Sequence, residues 1–215
     1  MSDPWAFGWT QPLTLIGFAI TIGIAAGGYQ TFSRWKRQKI EERRIETAID
    51  ALALAYESKI VFQAIRSGFA SNVDYKDMKG IDGESEDQTS RRGSFWIVGK
   101  RVSDNSDYFV RVWKLQPIVM AIFGEHMEDV FGKLHDARAM IQVASQTLTW
   151  DPPPPNTEDN RKLGQQLRND LWGGKKEMDR VGQSLEAFRG GIEKVCKPVV
   201  DREFSKGYIV DPRVP

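Results

Sequence analysis

Apolar residues are spread along this chain in two distinct ways, an unbroken run near the start and helical spacings afterwards. Between Asp3 and Arg34 there is no charged side chain, and residues 13–29 are dominated by Leu, Ile, Phe, Ala and Gly. Seventeen residues at about 1.5 Å each cover roughly 26 Å, and the uncharged flanks carry the run past the roughly 30 Å of a hydrocarbon core. Trp5 and Trp9 precede it, and Tyr29, Phe32 and Trp35 close it. Those are the places where amphipathic rings settle at the two membrane interfaces. The pattern predicts a transmembrane helix over residues 13–33, with residues 1–12 as a short extracytoplasmic N-terminus.

After the run, the apolar positions take the three-and-four spacing of helices with one buried face. Ile45, Ile49, Leu52 and Tyr56 form one stripe, with Ala48 and Ala55 on the same face, and Leu54, Val61 and Ile65 add a second. Two stripes suit a helix packed between neighbours better than a coiled-coil dimer. Residues 34–66 therefore read as a basic juxtamembrane segment and helix continuing from the anchor. Residues 67–94 lose the period, hold four glycines and six acidic residues, and read as a flexible loop.

Periodicity resumes at Phe95, Val98, Val102, Asn105, Phe109 and Val112, predicting a helix capped by Ser94 and ending near Pro117. A short apolar segment follows over residues 118–123, punctuated by Gly124. Met127, Val130, Phe131, Leu134, Ile141 and Leu148 give the clearest amphipathic pattern, which stops at Asp151 and the proline connector 152–155. Asn156 is placed to cap a helix carrying Leu163, Leu167 and Leu171. Met178, Val181, Leu185, Phe188, Ile192, Val195 and Val199 mark another, interrupted by Gly182, Gly190, Gly191 and Pro198. The helical domain thus extends over 95–206, and 207–215 reads as an extended tail. The fold class expected is all-α, a single N-terminal transmembrane helix followed by a cytoplasmic bundle of about five helices.

A length of 215 residues suits one domain plus an anchor. The net charge of +1 conceals an uneven distribution. Arg34, Lys36, Arg37, Lys39, Arg43 and Arg44 outnumber Glu41 and Glu42 by four, while residues 45–215 sum to −2. Basic residues beside a span stay on the cytoplasmic side, so the chain is expected in a membrane, single-pass, with its N-terminus outside and its C-terminal domain cytoplasmic, at the inner membrane if the source is bacterial. A cleavable signal peptide would have its positive charge before the apolar run rather than after it. The basic cluster also invites anionic head groups. Nucleic acid is not an expected partner, because the remaining domain is slightly acidic. The lone Cys196 cannot form an intramolecular disulfide and reads as a buried thiol in a reducing compartment.

Ala19, Gly23 and Gly27 recur every four residues and form a small-residue stripe suited to close helix approach, a possible helix–helix interface. Recognisable reaction chemistry is missing. His126 and His135 are nine residues apart, which puts them on opposite faces of one helix. Asp77, Asp82 and Glu84 fail the ligand alternation of a calcium loop, since Lys79 falls on a ligand position. Gly173, Gly174 and Lys175 lack the upstream glycine and the following Ser or Thr of a phosphate loop. Trp113, Trp150 and Trp172 fit core packing better than partner anchoring. No cofactor, metal or small-molecule ligand is expected, and the partners expected are membrane lipid and a protein or second copy. The leading expectation is a membrane-anchored helical interaction or scaffold protein. An accessory single-pass subunit of a transport or secretion complex, or an enzyme with an unrecognised site, are the alternatives.

Overall fold

A computed structural model describes residues 10–69, 74 and 76–207, with side chains for 14–69, 74 and 76–202. Trp5, Trp9, the rest of the N-terminal flank and residues 208–215 of the expected tail lie outside the described residues. Among those described there are six α-helices, one short 3-10 turn and no strand. They are α1 (Thr10–Ile65), α2 (Glu86–Asp104), α3 (Ser106–Phe123), α4 (Met127–Trp150), α5 (Glu158–Trp172) and α6 (Arg180–Gly207), the turn being Lys176–Met178. The all-helical expectation holds. Two compact units are distinguished, residues 1–45 and residues 46–215.

In the first unit, α1 is the one described helix long and apolar enough to cross a membrane. Its apolar side chains from Leu15 to Ile24 are exposed among the described residues. In the second unit, α4 is the central helix and packs against α2, α3, α5 and α6. It buries Phe131, Leu134, Ala137, Ile141, Ala144 and Leu148, which recur every three or four residues along one face. Residues 46–65 of α1 join the same core through Ala48, Ala51, Ala55, Phe62 and Ile65. Phe62 meets Phe109 edge-on at 6.0 Å, and the Tyr108 hydroxyl donates to the Leu54 carbonyl at 3.0 Å.

Two close approaches set the spacing around α4. The Ser145 hydroxyl donates to the Phe95 carbonyl at 2.9 Å, and a Cβ at Gly99 would fall on that hydroxyl. On the opposite contact, a Cβ at Gly191 would come within 2.7 Å of Val130 Cγ1. Gly191 therefore lets α6 lie close to α4, and the glycine read as an interruption is a packing device.

Several boundaries differ from expectation. The loop expected to run to Ser94 becomes helical at Glu86, and the cap is Ser85. Gln88 N–H donates to the Ser85 hydroxyl at 3.3 Å, and Ser85 N–H donates to Gln88 Oε1 at 2.9 Å, a reciprocal capping box. The first turns of α2 are polar and exposed, so they carry no apolar period to read. The helix expected from 95 to 117 is two helices broken at Asn105, whose N–H and side-chain amide both donate to the Arg101 carbonyl. A one-residue break barely shifts the period. Pro117 lies inside α3 rather than at its end. A helix-interior proline costs about 3 kcal/mol or more. Here its ring and the Trp113 carbonyl it leaves unbonded are on the exposed side, while Val112 and Val119 are fully buried and hold the helix on both flanks. The cap of α5 is Thr157, accepting from Asn160 N–H at 3.2 Å, not Asn156. Gly182, Gly190, Gly191 and Pro198 all lie within a continuous α6.

Candidate functional site

The residues singled out by sequence belong to α1. Leu15, Ile16, Phe18, Ile20, Ile22 and Ile24 are 56 to 71% exposed there. Burying a large apolar side chain is worth about 1.5–3 kcal/mol, so six left in water forgo on the order of 10 kcal/mol. Polar side chains in the same stretch are satisfied by the helix itself. Thr21 Oγ1 donates to the Gly17 carbonyl at 2.8 Å and Thr31 Oγ1 to the Gly27 carbonyl at 2.9 Å. Such bonds within one turn are what a hydroxyl needs where no water is present.

Ala19, Gly23 and Gly27 are all exposed on α1, and nothing lies within 4 Å of a Cβ placed on either glycine. Four-residue steps advance about 40° each, so the three occupy a narrow strip about 80° wide. The cationic residues Arg34, Lys36, Arg37, Lys39, Arg43 and Arg44 are likewise exposed. At about 100° per residue, all but Arg34 fall within an arc of about 160°, giving a basic face rather than a basic collar. Lys39 pairs with Glu42 at 2.6 Å, and that hydrogen bond holds the Glu42 carboxyl below its ordinary range.

Within residues 46–215, three polar features were not legible in the sequence. Arg92 is buried and bonds Glu84 through Nε at 2.8 Å and Nη2 at 2.6 Å, donates to the Lys79 carbonyl, and lies 5.1 Å from the Trp150 ring. Part of the segment expected as a flexible loop is thereby tied to α2 and α4. Asp170 is 1% exposed and accepts from Arg180 at 2.5 Å, joining α5 to α6. Arg138 lies over Phe109 at 4.4 Å and Trp113 at 5.1 Å, and burial pulls its guanidinium pKa down. Beside it, His135 Nε2 is 2.9 Å from Gln116 Oε1, and burial lowers the imidazole pKa.

A cleft of about 440 Å³ lies between residues 58–66 of α1, the end of α5 and the start of α6. Arg66 closes one end. Its Nη2 donates to Asp179 Oδ1 at 2.7 Å and to the Asn169 carbonyl at 2.8 Å, and its Nη1 to Asp179 Oδ2 at 3.2 Å. Asp179 also accepts from the Gly182 N–H at 3.0 Å. Burial raises the Asp179 pKa, but the hydrogen bonds from Arg66 and Gly182 and the Arg66 charge outweigh it, so the net direction is down. Phe62, Leu185 and Trp172 supply apolar lining, and Lys59, Gln63, Glu186 and Arg189 the polar groups.

No cluster of three or more His, Cys, Asp or Glu is placed to hold a metal ion among the described residues. His126 precedes the first residue of α4, so the two histidines do not share a helix as the spacing suggested. Compared with known proteins, the chain matches no family model, no curated protein and no solved structure.

Proposed function

We propose that this chain is a single-pass membrane protein whose helical bundle lies on the cytoplasmic side and serves as a docking scaffold for a protein partner. The observation that supports it is the uncovered apolar length of α1 from Leu15 to Ile24, with Thr21 within it bonded to the Gly17 carbonyl. A bilayer is the cover that returns the forgone 10 kcal/mol or so. The basic face that follows adds about 1 kcal/mol per residue against anionic head groups and retains its side of the helix in the cytoplasm. The scaffold role is read from the all-helical build of residues 46–215, with α4 packed at its centre.

Two measurements test the parts separately. The full chain should stay with membranes through high salt and alkaline carbonate and leave only with detergent, whereas release by salt alone refutes the span. Crosslinking in intact membranes, followed by identification of the captured proteins, should return a defined partner. Only uncrosslinked monomer at every crosslinker length would sink the scaffold reading.

A second reading is favoured by the open strip at Ala19, Gly23 and Gly27. In it α1 packs on another membrane helix, from a second copy or from a transport or secretion complex in which this chain is an accessory subunit. Gly23→Leu should then abolish the assembly while leaving insertion intact. An unchanged complex on native gels rejects it.

A further inference from the structure

The cleft beside Arg66 carries an inference that the anchor does not. Lys59 lies seven residues before Arg66 on α1, and Glu186 seven after Asp179 on α6, yet Lys59 and Glu186 line the same cleft. The two helices must therefore pass each other antiparallel, with the Arg66–Asp179 pair at one end, Lys59 and Glu186 about 10 Å away, and Arg189 about 15 Å away along α6. Between the ends the Asp179 carboxylate folds over Gly182, and Phe62, Gln63 and Leu185 line the cleft beside it. A groove results, floored by Phe62 and Leu185 and flanked by Trp172, whose ring is held 5.2 Å from Phe95.

The two ends differ in their electrostatics. At the closed end every charge is matched, because Arg66 and Asp179 satisfy each other at 2.7 Å. At the open end Lys59 and Glu186 face one cleft, but neither has an ion-pair partner among the described residues, and Arg189 reaches only Glu193, at 3.7 Å and half exposed. Opposite charges that share a groove without touching leave room for a guest that satisfies both. Its recognition elements are a carboxylate for Lys59 and Arg189, an ammonium for Glu186, and an apolar body for the Phe62, Leu185 and Trp172 surface. The volume of about 440 Å³ lies within the ordinary range of small-molecule sites.

We propose that this groove binds a zwitterionic small molecule of the free α-amino-acid type with an apolar side chain. Its carboxylate is held by Lys59 Nζ and the Arg189 guanidinium, its ammonium by the Glu186 carboxylate. The side chain runs over Phe62 and Leu185 toward Trp172. Both charged ends of the guest are required, since a lone anion meets Glu186 and a lone cation meets Lys59 and Arg189. The sequence held no sign of this site, because its residues come from three separated segments and match no spacing rule.

The test uses the full chain in detergent micelles and the Trp172 indole N–H as an NMR reporter, assigned by its loss in Trp172→Phe. The probes are L-leucine and L-phenylalanine, with N-acetyl-L-leucine and L-leucinamide as the single-charge controls. The zwitterions should shift the Trp172 signal saturably, and the controls should bind at least about tenfold more weakly, the loss expected for one charge-assisted contact. Lys59→Ala and Glu186→Ala alter exposed side chains and should keep the helical circular dichroism while each weakens zwitterion binding about tenfold. The proposal is overturned if neither amino acid perturbs Trp172 at about 10 mM, two decades above ordinary small-ligand affinities. It also fails if N-acetyl-L-leucine or L-leucinamide binds as tightly as L-leucine, or if both alanine variants bind as the parent does.

Discussion

The Cys196 thiol sits fully buried on α6, and burial pushes its pKa up to about 11. Nucleophilicity belongs to the thiolate, so at pH 7.5 this thiol is protected twice, by inaccessibility and by protonation. N-ethylmaleimide should leave the folded chain unmodified over hours and label it stoichiometrically in denaturant, as read by intact mass. Rapid labelling of the native chain would mean that α6 opens far more readily than its packing indicates. Asp179 offers a residue-scale prediction of the opposite kind. Its carboxyl is held below the ordinary value of about 3.9, so the folded state is stabilised by the ionised form. That contribution is complete above about pH 5 and is lost as pH falls through the lowered native value. Asp179→Asn should therefore lower thermal stability at pH 7 and flatten its decline between pH 5 and pH 3. A variant whose acid profile parallels the parent's would show that the Arg66 pair contributes nothing net.

At the scale of elements, capping and close approach make separable predictions. Ser85→Ala removes the acceptor of the α2 capping box and should cost about 1 kcal/mol, or roughly 2–4 °C in the bundle's melting temperature. Gly191→Ala places a methyl group against Val130 and should cost about 1–3 kcal/mol, because α6 must shift from α4 or Val130 must leave its rotamer. The same elements show what the chain's pattern reveals. The central helix α4 was legible almost to the residue, since Met127, Phe131, Leu134, Ile141 and Leu148 are all buried and follow the helical period. The start of α2 was not legible, because Glu86 to Arg91 are polar and, Thr89 apart, exposed, and helices of that kind differ from loops only in their caps. The break at Asn105 was hidden for the converse reason, as the period on either side continues nearly in phase. Glycine and proline misled in α6, where burial of Phe188, Ile192 and Cys196 overrides the local propensity of Gly190, Gly191 and Pro198. Of the candidate sites, the α1 residues could be found from composition alone. Asp170, Arg92 and the Arg66 cleft could not, since a buried carboxylate or guanidinium occupies the same kind of position in the sequence as a solvated one.

For the whole molecule, the decisive asymmetry is electrostatic. One side of the apolar segment has Asp3 as its lone charged residue, and the other begins with Arg34, Lys36, Arg37 and Lys39. Orientation in a membrane follows the cation count within roughly 15–20 residues of the span's ends. If that count directs this chain, protease added to sealed, right-side-out vesicles should leave residues 45–215 intact and digest them only after detergent. The stronger form of the experiment moves the charge. Replacing Arg34, Lys36, Arg37 and Lys39 with glutamine, while inserting four lysines between Asp3 and Pro4, inverts the imbalance but leaves every bundle residue unchanged. The variant should insert with the opposite topology in a measurable fraction of molecules, exposing residues 45–215 to external protease. Full protection in the parent and partial loss in the variant would establish the basic face as the topology determinant. Protection unchanged by the inversion would instead assign orientation to the folding of the bundle before insertion. Digestion in the parent would place residues 45–215 on the other side of the membrane.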